Sequence, residues 1–307
     1  MRLKSKPVSR RRKGNKVDGW LVVDKPLGVS SAAVVGTVKR VTNAQKVGHG
    51  GTLDPLASGI LPIGLGEATK TMSYIVDATK EYAFDVTWGT STDSDDVEGE
   101  ILQSGGRVPD ESEIIATLPL FTGAIEQCPP AYSAIKVNGE RAYALARRGE
   151  EVILASRTVE IQAFRLEKHD REAGVSSFHV TCGKGTYIRS LGRDIALKLG
   201  TFGHITALRR LRVGPFALNK AISLEKLAEL GHSAPAAEFI LPITTALDDI
   251  PAVAVSELEA KAIRHGQCFP SSTVKQGTVV LMAEDLPVAI AEAKDGMVRP
   301  LRVFNII

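Results

Sequence analysis

Between Gly48 and Gly66 the chain reads GHGGTLDPLASGILPIGLG, six glycines and two prolines in nineteen residues. No long helix survives that punctuation, since glycine costs about 1 kcal/mol in a helix interior and proline about 3. The segment is expected to be a loop whose glycines at 48, 50, 51 and 59 let backbone approach a ligand closely. Its first half holds one carboxylate, Asp54, between Leu53 and Pro55. Such a residue can be a nucleophile, a base or a turn cap, and taken alone it favours the cap.

The flanking sequence predicts a mixed α+β body. GWLVVDKPLGVSS reads as a strand starting at Gly19 and closed by a Pro-Gly turn. Ser30 or Ser31 then caps a helix with Val34, Val35, Val38 and Val41 on one face. A helix near 67–76, a strand from Tyr82 to Trp88 and an acidic surface loop over 93–110 follow. Pro109 and the acids at 110, 111 and 113 start another helix. Strands are expected at 157–168 and 174–183, and helices at 187–199 and 223–230. LPITTALDDIPAVAV reads as a linker into a compact β-rich unit with one short helix. With 307 residues and 44% hydrophobic composition, one large domain plus a small partner has enough apolar side chain for a core.

Charge is unevenly placed. Residues 1–16 hold eight cations and no acid, so a chain of net charge +3 is −5 over the remainder. A basic arm on a mildly acidic body suits a polyanion, and equally a solvated tail. No apolar run approaches the roughly 20 residues of a membrane span, and nothing apolar follows the basic start as in a secretory signal. A soluble, cytoplasmic protein is expected. Cys128, Cys182 and Cys268 lack metal or redox spacing, and Cys182 reads as a core residue of a strand. GLGEATKT lacks the phosphate-loop glycine, Thr69 standing in its place. Asp93, Asp95 and Asp96 begin like a calcium loop, but Val97 and Ser104 occupy ligand positions. Neither metal nor nucleotide cofactor is predicted; Mg²⁺ would enter only with a folded RNA.

Five segments carry more. GWLVVDKPLGVSS, KVGHGGTLDPLASGILPIGLGEATK, KEYAFDVTWGTSTDSDDVEGE, PPAYSAIKVNGERAYALARRG and GKGTYIRSLGRDIA closely resemble the bacterial tRNA pseudouridine-55 synthases, the TruB family. They stand in the family's order over about 19–215, and the C-terminal part resembles its small PUA-type RNA-binding appendage. The resemblance implies a pseudouridine synthase fold, α+β with a mixed, mostly antiparallel sheet and flanking helices. It divides the chain into a catalytic domain (18–248) and a PUA-like domain (249–307), while the basic arm (1–17), expected to be disordered, lies outside the resemblance.

The implied activity is isomerisation of one uridine in the tRNA T-loop to pseudouridine, without cofactor, by a monomer needing no obligate protein partner. Asp54 matches the family's catalytic aspartate, which can attack C1′ of the ribose or C6 of the base. Tyr82 matches the tyrosine whose ring stacks on uracil and whose hydroxyl suits removal of the C5 proton. Arg189 matches the arginine paired with the aspartate, an adjacent positive charge favouring the ionised carboxylate. Tyr187 and Leu208 match residues lining the uracil pocket. His49 matches the histidine that occupies the space of flipped bases, base extraction being required before a stacked uridine can react. Lys25 is read as supporting the fold or an RNA phosphate. Lys136, Arg141, Arg147, Arg148, Arg209, Arg210 and Arg212 are candidate phosphate contacts on the T-arm. The C-terminal unit, with seven acids and six bases from Asp249 on, is a weak electrostatic grip.

Two rival functions remain. A catalytically silent RNA-binding or RNA-folding protein would use the same groove without the carboxylate. A glycoside hydrolase normally needs paired carboxylates, and here Asp54 is followed only by Glu67, thirteen residues on.

Overall fold

A computed structural model describes residues 14–133, 135–137, 139–230, 238–271 and 274–306. The first seven cations of the N-terminal arm, Arg2 through Lys13, lie outside them. The eighth, Lys16, donates to the carbonyl of Asn305 at 3.4 Å, and Asn15 bridges Ala44. Described structure thus extends over residues 14–17 of the expected arm, ahead of the strand that starts at Gly19 as read.

One large mixed sheet organises the molecule. Its strands run Ile222–Ser223, Gly19–Lys25, Ala57–Leu65, Gly203–Val213, Lys80–Trp88, Val175–Cys182, Arg157–Asp170 and Gly123–Gln127 in spatial order. Two contacts are parallel, Gly19–Lys25 with Ile222–Ser223 and Ala57–Leu65 with Gly203–Val213. The other pairings along this path are antiparallel. Lys80–Trp88 alternates strictly, with Tyr82, Phe84, Val86 and Trp88 buried and the residues between them less so. That period-two pattern makes this strand readable from sequence. Phe84 stacks on Phe178 of the neighbouring strand, ring centroids 5.3 Å apart.

The glycine-rich segment corrects the expectation of a continuous loop. Residues 57–65 form a strand buried almost throughout, pairing along its length with Gly19–Lys25. Glycine at 59 is required by crowding rather than by a turn. Its φ is +102°, and a Cβ there would lie 2.1 Å from the carbonyl oxygen of Arg210. Only the stretch between Gly50 and Leu56 remains a loop.

Ser30 caps the Ser31–Thr42 helix, accepting from the Ala33 amide. The helix expected near 67–76 is a 3-10 turn, Gly66–Thr71, running into a short α-helix, Met72–Asp77. The acidic segment is not the predicted surface loop. Ser94, Asp95 and Asp96 are buried, and Thr90–Thr92 pairs with Ile101–Ser104 as a hairpin.

The C-terminal unit is a five-stranded sheet ordered Ala252–Ala254, Gly277–Ala283, Leu286–Lys294, Met297–Val303, Phe269–Pro270. Its helix, Glu257–Arg264, starts from a Ser256–Glu259 capping box. The expected linker is packed structure: Ile243, Ala246 and Leu247 are buried in one cluster with Trp20, Phe216, Val280, Ile290 and Phe304. Lys70 Nζ adds a bond to the Val303 carbonyl at 2.7 Å. No helix among the described residues is long and apolar enough to cross a membrane.

Candidate active site

Asp54 sits at the tip of the loop between the short strand Val47–His49 and the strand Ala57–Leu65. Every backbone neighbour of the tip is tied down. Ser31 Oγ accepts from the Leu53 amide and donates to the Leu53 carbonyl, both at 2.9 Å. The Pro55 carbonyl accepts from the Gly28 amide at 2.8 Å and from Lys25 Nζ at 3.2 Å. On the other side Arg210 donates to the carbonyls of Gly51, Thr52 and Ile60. The carboxylate between these anchors is 38% exposed and opens into a cleft of about 960 Å³.

Arg189 reaches the carboxylate from the first turn of the Ile188–Lys198 helix, with Nη2 2.9 Å from Asp54 Oδ2. Its guanidinium is buried, and its other partners are Asp96 Oδ2 at 3.2 Å and the carbonyls of Ser94 and Tyr132. Asp96 is itself buried, accepting from Ser94 Oγ and the Glu98 amide. A bidentate fork fits two acceptors at once, so Arg189 has a fixed direction before any ligand arrives. Asp96 and Ser94 were missed in the sequence. Their one signal was a place inside STDSDDVEGE, where acids read more readily as a solvated turn.

Around this pair the structure gathers His49, Lys136, Arg141 and Arg147 on the cleft wall. Burial, with the Arg210 charge nearby, pushes the His49 imidazole below its usual range, and among the described residues its buried Nδ1 has no hydrogen-bond partner. Tyr132 also lines the cleft, donating its hydroxyl to Asp93 at 2.8 Å and setting its ring edge-on to Tyr143, which lies under Arg147.

Tyr82 and Leu208 do not stand on the cleft wall; they lie in the core cluster that also holds Leu53 and Leu56 of the loop. Burial raises the Tyr82 hydroxyl above the ordinary tyrosine range, and the neighbouring Arg210 charge acts the other way. Tyr187 precedes the Arg189 helix, pinned through its backbone to the Gln127 side chain, with the Arg157 guanidinium 4.9 Å from its ring centre.

Arg210 and Lys25 are corrected as phosphate contacts. Arg210 is 1% exposed and spends its donors on carbonyls, so no phosphate reaches it. Lys25 is fully buried, with Nζ on the carbonyls of Pro26, Val29 and Pro55, which leaves only its fold-supporting reading. Arg209 is paired with Asp24 and Arg212 with Glu81. Arg148 is held between Glu140 and Glu150 outside the cleft wall.

Comparison with known proteins places the chain in a family. Residues 39–188 match the N-terminal domain of the TruB family pseudouridylate synthases, and 189–248 the tRNA pseudouridylate synthase B C-terminal domain. A protein of Rhodospirillum rubrum named tRNA pseudouridine synthase B is 49% identical, over 97% of this chain and all of the relative. A protein of the same name from Caulobacter vibrioides is 46% identical over the same shares. Among solved structures, a Cbf5–Nop10–Gar1 complex matches with 29% identity and a TM-score of 0.69, covering 90% of this chain and 78% of that one. An H/ACA RNP bound to a substrate RNA containing 2′-deoxyuridine matches at 27% and 0.71, covering 94% and 85%. With relatives this similar over nearly its whole length, the chain belongs to the TruB family of pseudouridylate synthases.

Proposed function

We propose that this protein isomerises uridine to pseudouridine in tRNA, at the T-loop uridine, position 55. The observation that carries the reading is the Asp54 carboxylate, held by buried Arg189 and open to a cleft whose wall carries Lys136, Arg141 and Arg147 beside Asp93, Glu98 and Glu100. A stacked uridine is first extracted into the cleft, with neutral His49 filling the space it leaves. Asp54 then attacks C1′ or C6, the C1′–N1 bond breaks and the freed base turns. C5 bonds to C1′, the bond to Asp54 breaks and frees the carboxylate, N1 gains a proton and C5 loses one.

Tyr82 and Leu208, packed in the core behind the Asp54 loop, and Tyr187 at the start of the Arg189 helix are assigned to the base on the family match. Burial raises the Tyr82 hydroxyl while the Arg210 charge acts the other way, and the family match assigns this group the C5 proton. Lys136, Arg141 and Arg147 grip the T-arm backbone by charge and shape. The chain acts as a monomer without a protein partner, and residues 249–307 serve as a weak RNA-binding appendage.

Release of tritium from tRNA labelled at uracil C5 tests the reading, because the new C–C bond expels the C5 hydrogen. Release near one equivalent per tRNA is expected from the native protein. It should vanish in Asp54→Asn, and in a transcript whose T-loop uridine is replaced. Tight tRNA binding without release would instead make this an RNA-folding protein.

A further inference from the structure

We infer that Arg210 is a positioning residue for the reaction, fixing the Asp54 loop from beneath and joining it to the strand that carries Tyr82. The inference rests on the isomerase reading. Arg210 lies on the Gly203–Val213 strand, between two partners that both belong to the site. In register it faces Gly59 on one side, in the strand that leaves the loop, and Tyr82 on the other.

Its side chain turns back under the loop. Nε donates to the Ile60 carbonyl at 2.7 Å, Nη2 to Gly51 at 3.1 Å and Nη1 to Thr52 at 3.4 Å. One rigid guanidinium thus binds the segment entering the loop and the segment leaving it, with Asp54 between them. Gly51 has a φ of +103° and Gly59 one of +102°, so both contact points need backbone that glycine adopts without strain. A side chain at Gly59 would collide with the Arg210 backbone, so only glycine lets the two strands meet this closely.

A buried charge surrounded by carbonyl dipoles is costly unless its donors are satisfied, and hydrophobic packing would fill this volume more cheaply. Among the described residues no carboxylate lies within ion-pair distance of Arg210, which sets it apart from Arg189, Arg193 and Arg209. What the buried arginine supplies instead is geometry and field. Its charge lowers the proton affinity of Tyr82, His49 and Lys25, three groups placed around Asp54. On Tyr82 it opposes burial and the negative influence of Cys182 and Asp54.

Single-turnover tritium release with the full-length chain, comparing Arg210→Lys and Arg210→Gln with the native protein, tests the inference. Lysine keeps the charge but not the three-way fork; glutamine keeps neither. The rate constant should fall about a hundredfold in Arg210→Gln, the scale of a roughly 1 Å misplacement, and about tenfold in Arg210→Lys. The amplitude should stay full and tRNA affinity within threefold, with an unchanged salt dependence. A native rate constant in Arg210→Gln overturns the inference, as does a loss confined to amplitude, which would mark a purely structural role. Weakened binding with a shallower salt slope would also overturn it, by restoring Arg210 as a phosphate contact. If neither variant folds, Arg210 is a stability residue only. Absence of release from the native protein would defeat the isomerase reading itself, an outcome distinct from all of these.

Discussion

Arg189 holds two carboxylates at the two ends of one guanidinium: Asp54 Oδ2 lies 2.9 Å from Nη2 and Asp96 Oδ2 lies 3.2 Å from Nη1. The two acids differ in access. Asp54 is 38% exposed and Asp96 is 3% exposed, so one end of the fork is anchored and the other is presented. Asp96→Asn keeps the shape and removes the buried countercharge. Turnover should fall at least tenfold while tRNA affinity stays within threefold, since the loss is one of aim. Losing one partner of a buried pair costs about 3–5 kcal/mol, so the urea midpoint should also drop. Native turnover in this variant would show that Asp96 has no part in directing Arg189.

Ser31 offers a test of the loop's rigidity that leaves every charge in place. Its Oγ satisfies both the amide and the carbonyl of Leu53, next to Asp54. Ser31→Ala leaves two buried backbone groups unpaired, at about 1–3 kcal/mol for each. Urea unfolding should report a loss of about 2 kcal/mol or more, and single-turnover kinetics a slower rate constant at unchanged tRNA affinity. A destabilised variant that retains the native rate constant would mean that the loop need not be rigid for the chemistry.

Asp95 predicts a pH dependence with a definite sign. Burial outweighs its contacts with Arg193 and raises its carboxyl from 3.8 to about 6. Between those values the folded state binds more protons than the unfolded state, so this residue's contribution to stability falls as pH rises from 3.8 through about 6. The penalty is complete above that range and is on the order of 3 kcal/mol. Asp95 also has a φ of +62°, a conformation that asparagine tolerates well. Relative to the native protein, Asp95→Asn should gain stability as pH rises from 3.8 through about 6, with the difference constant above, in urea titrations. A difference that is flat with pH would place the carboxyl at its ordinary value.

Legibility of the sequence followed the kind of signal each residue left. Tyr82 lies on a strand whose alternation is written in KEYAFDVTW, and Ser30 before a valine stripe marks a helix start. Asp54 and Arg189 stand in separate segments 135 residues apart, and only the family resemblance joined them before the fold did. Residues 57–65 were hidden because their glycines and Pro62 suit a loop, and only the neighbouring strands show that Gly59 must yield space to Arg210. Asp95 and Asp96 were hidden for the opposite reason: acidity argues for solvent unless the buried arginine that neutralises it is known. Arg210 was misassigned by the same logic, since composition cannot tell a phosphate contact from a cation whose donors end on carbonyls.

Salt dependence separates the cations that bind RNA from those that build the protein. Each phosphate neutralised contributes about 0.9 to the slope of log affinity against log salt for a duplex, and about 0.7 for a single strand. Lys136, Arg141 and Arg147 line the cleft, whereas Arg148 does not and is tied to Glu140 and Glu150. Replacing Lys136, Arg141 or Arg147 singly with glutamine should weaken tRNA binding and make the slope shallower by about 0.7–0.9. Arg148→Gln should leave the slope unchanged, because its charge already has protein partners. Filter binding across a salt series measures all four. A full unit lost on replacing Arg148 would mean that its two glutamates release it to the RNA, and that the basic face of the T-arm site extends beyond the cleft wall.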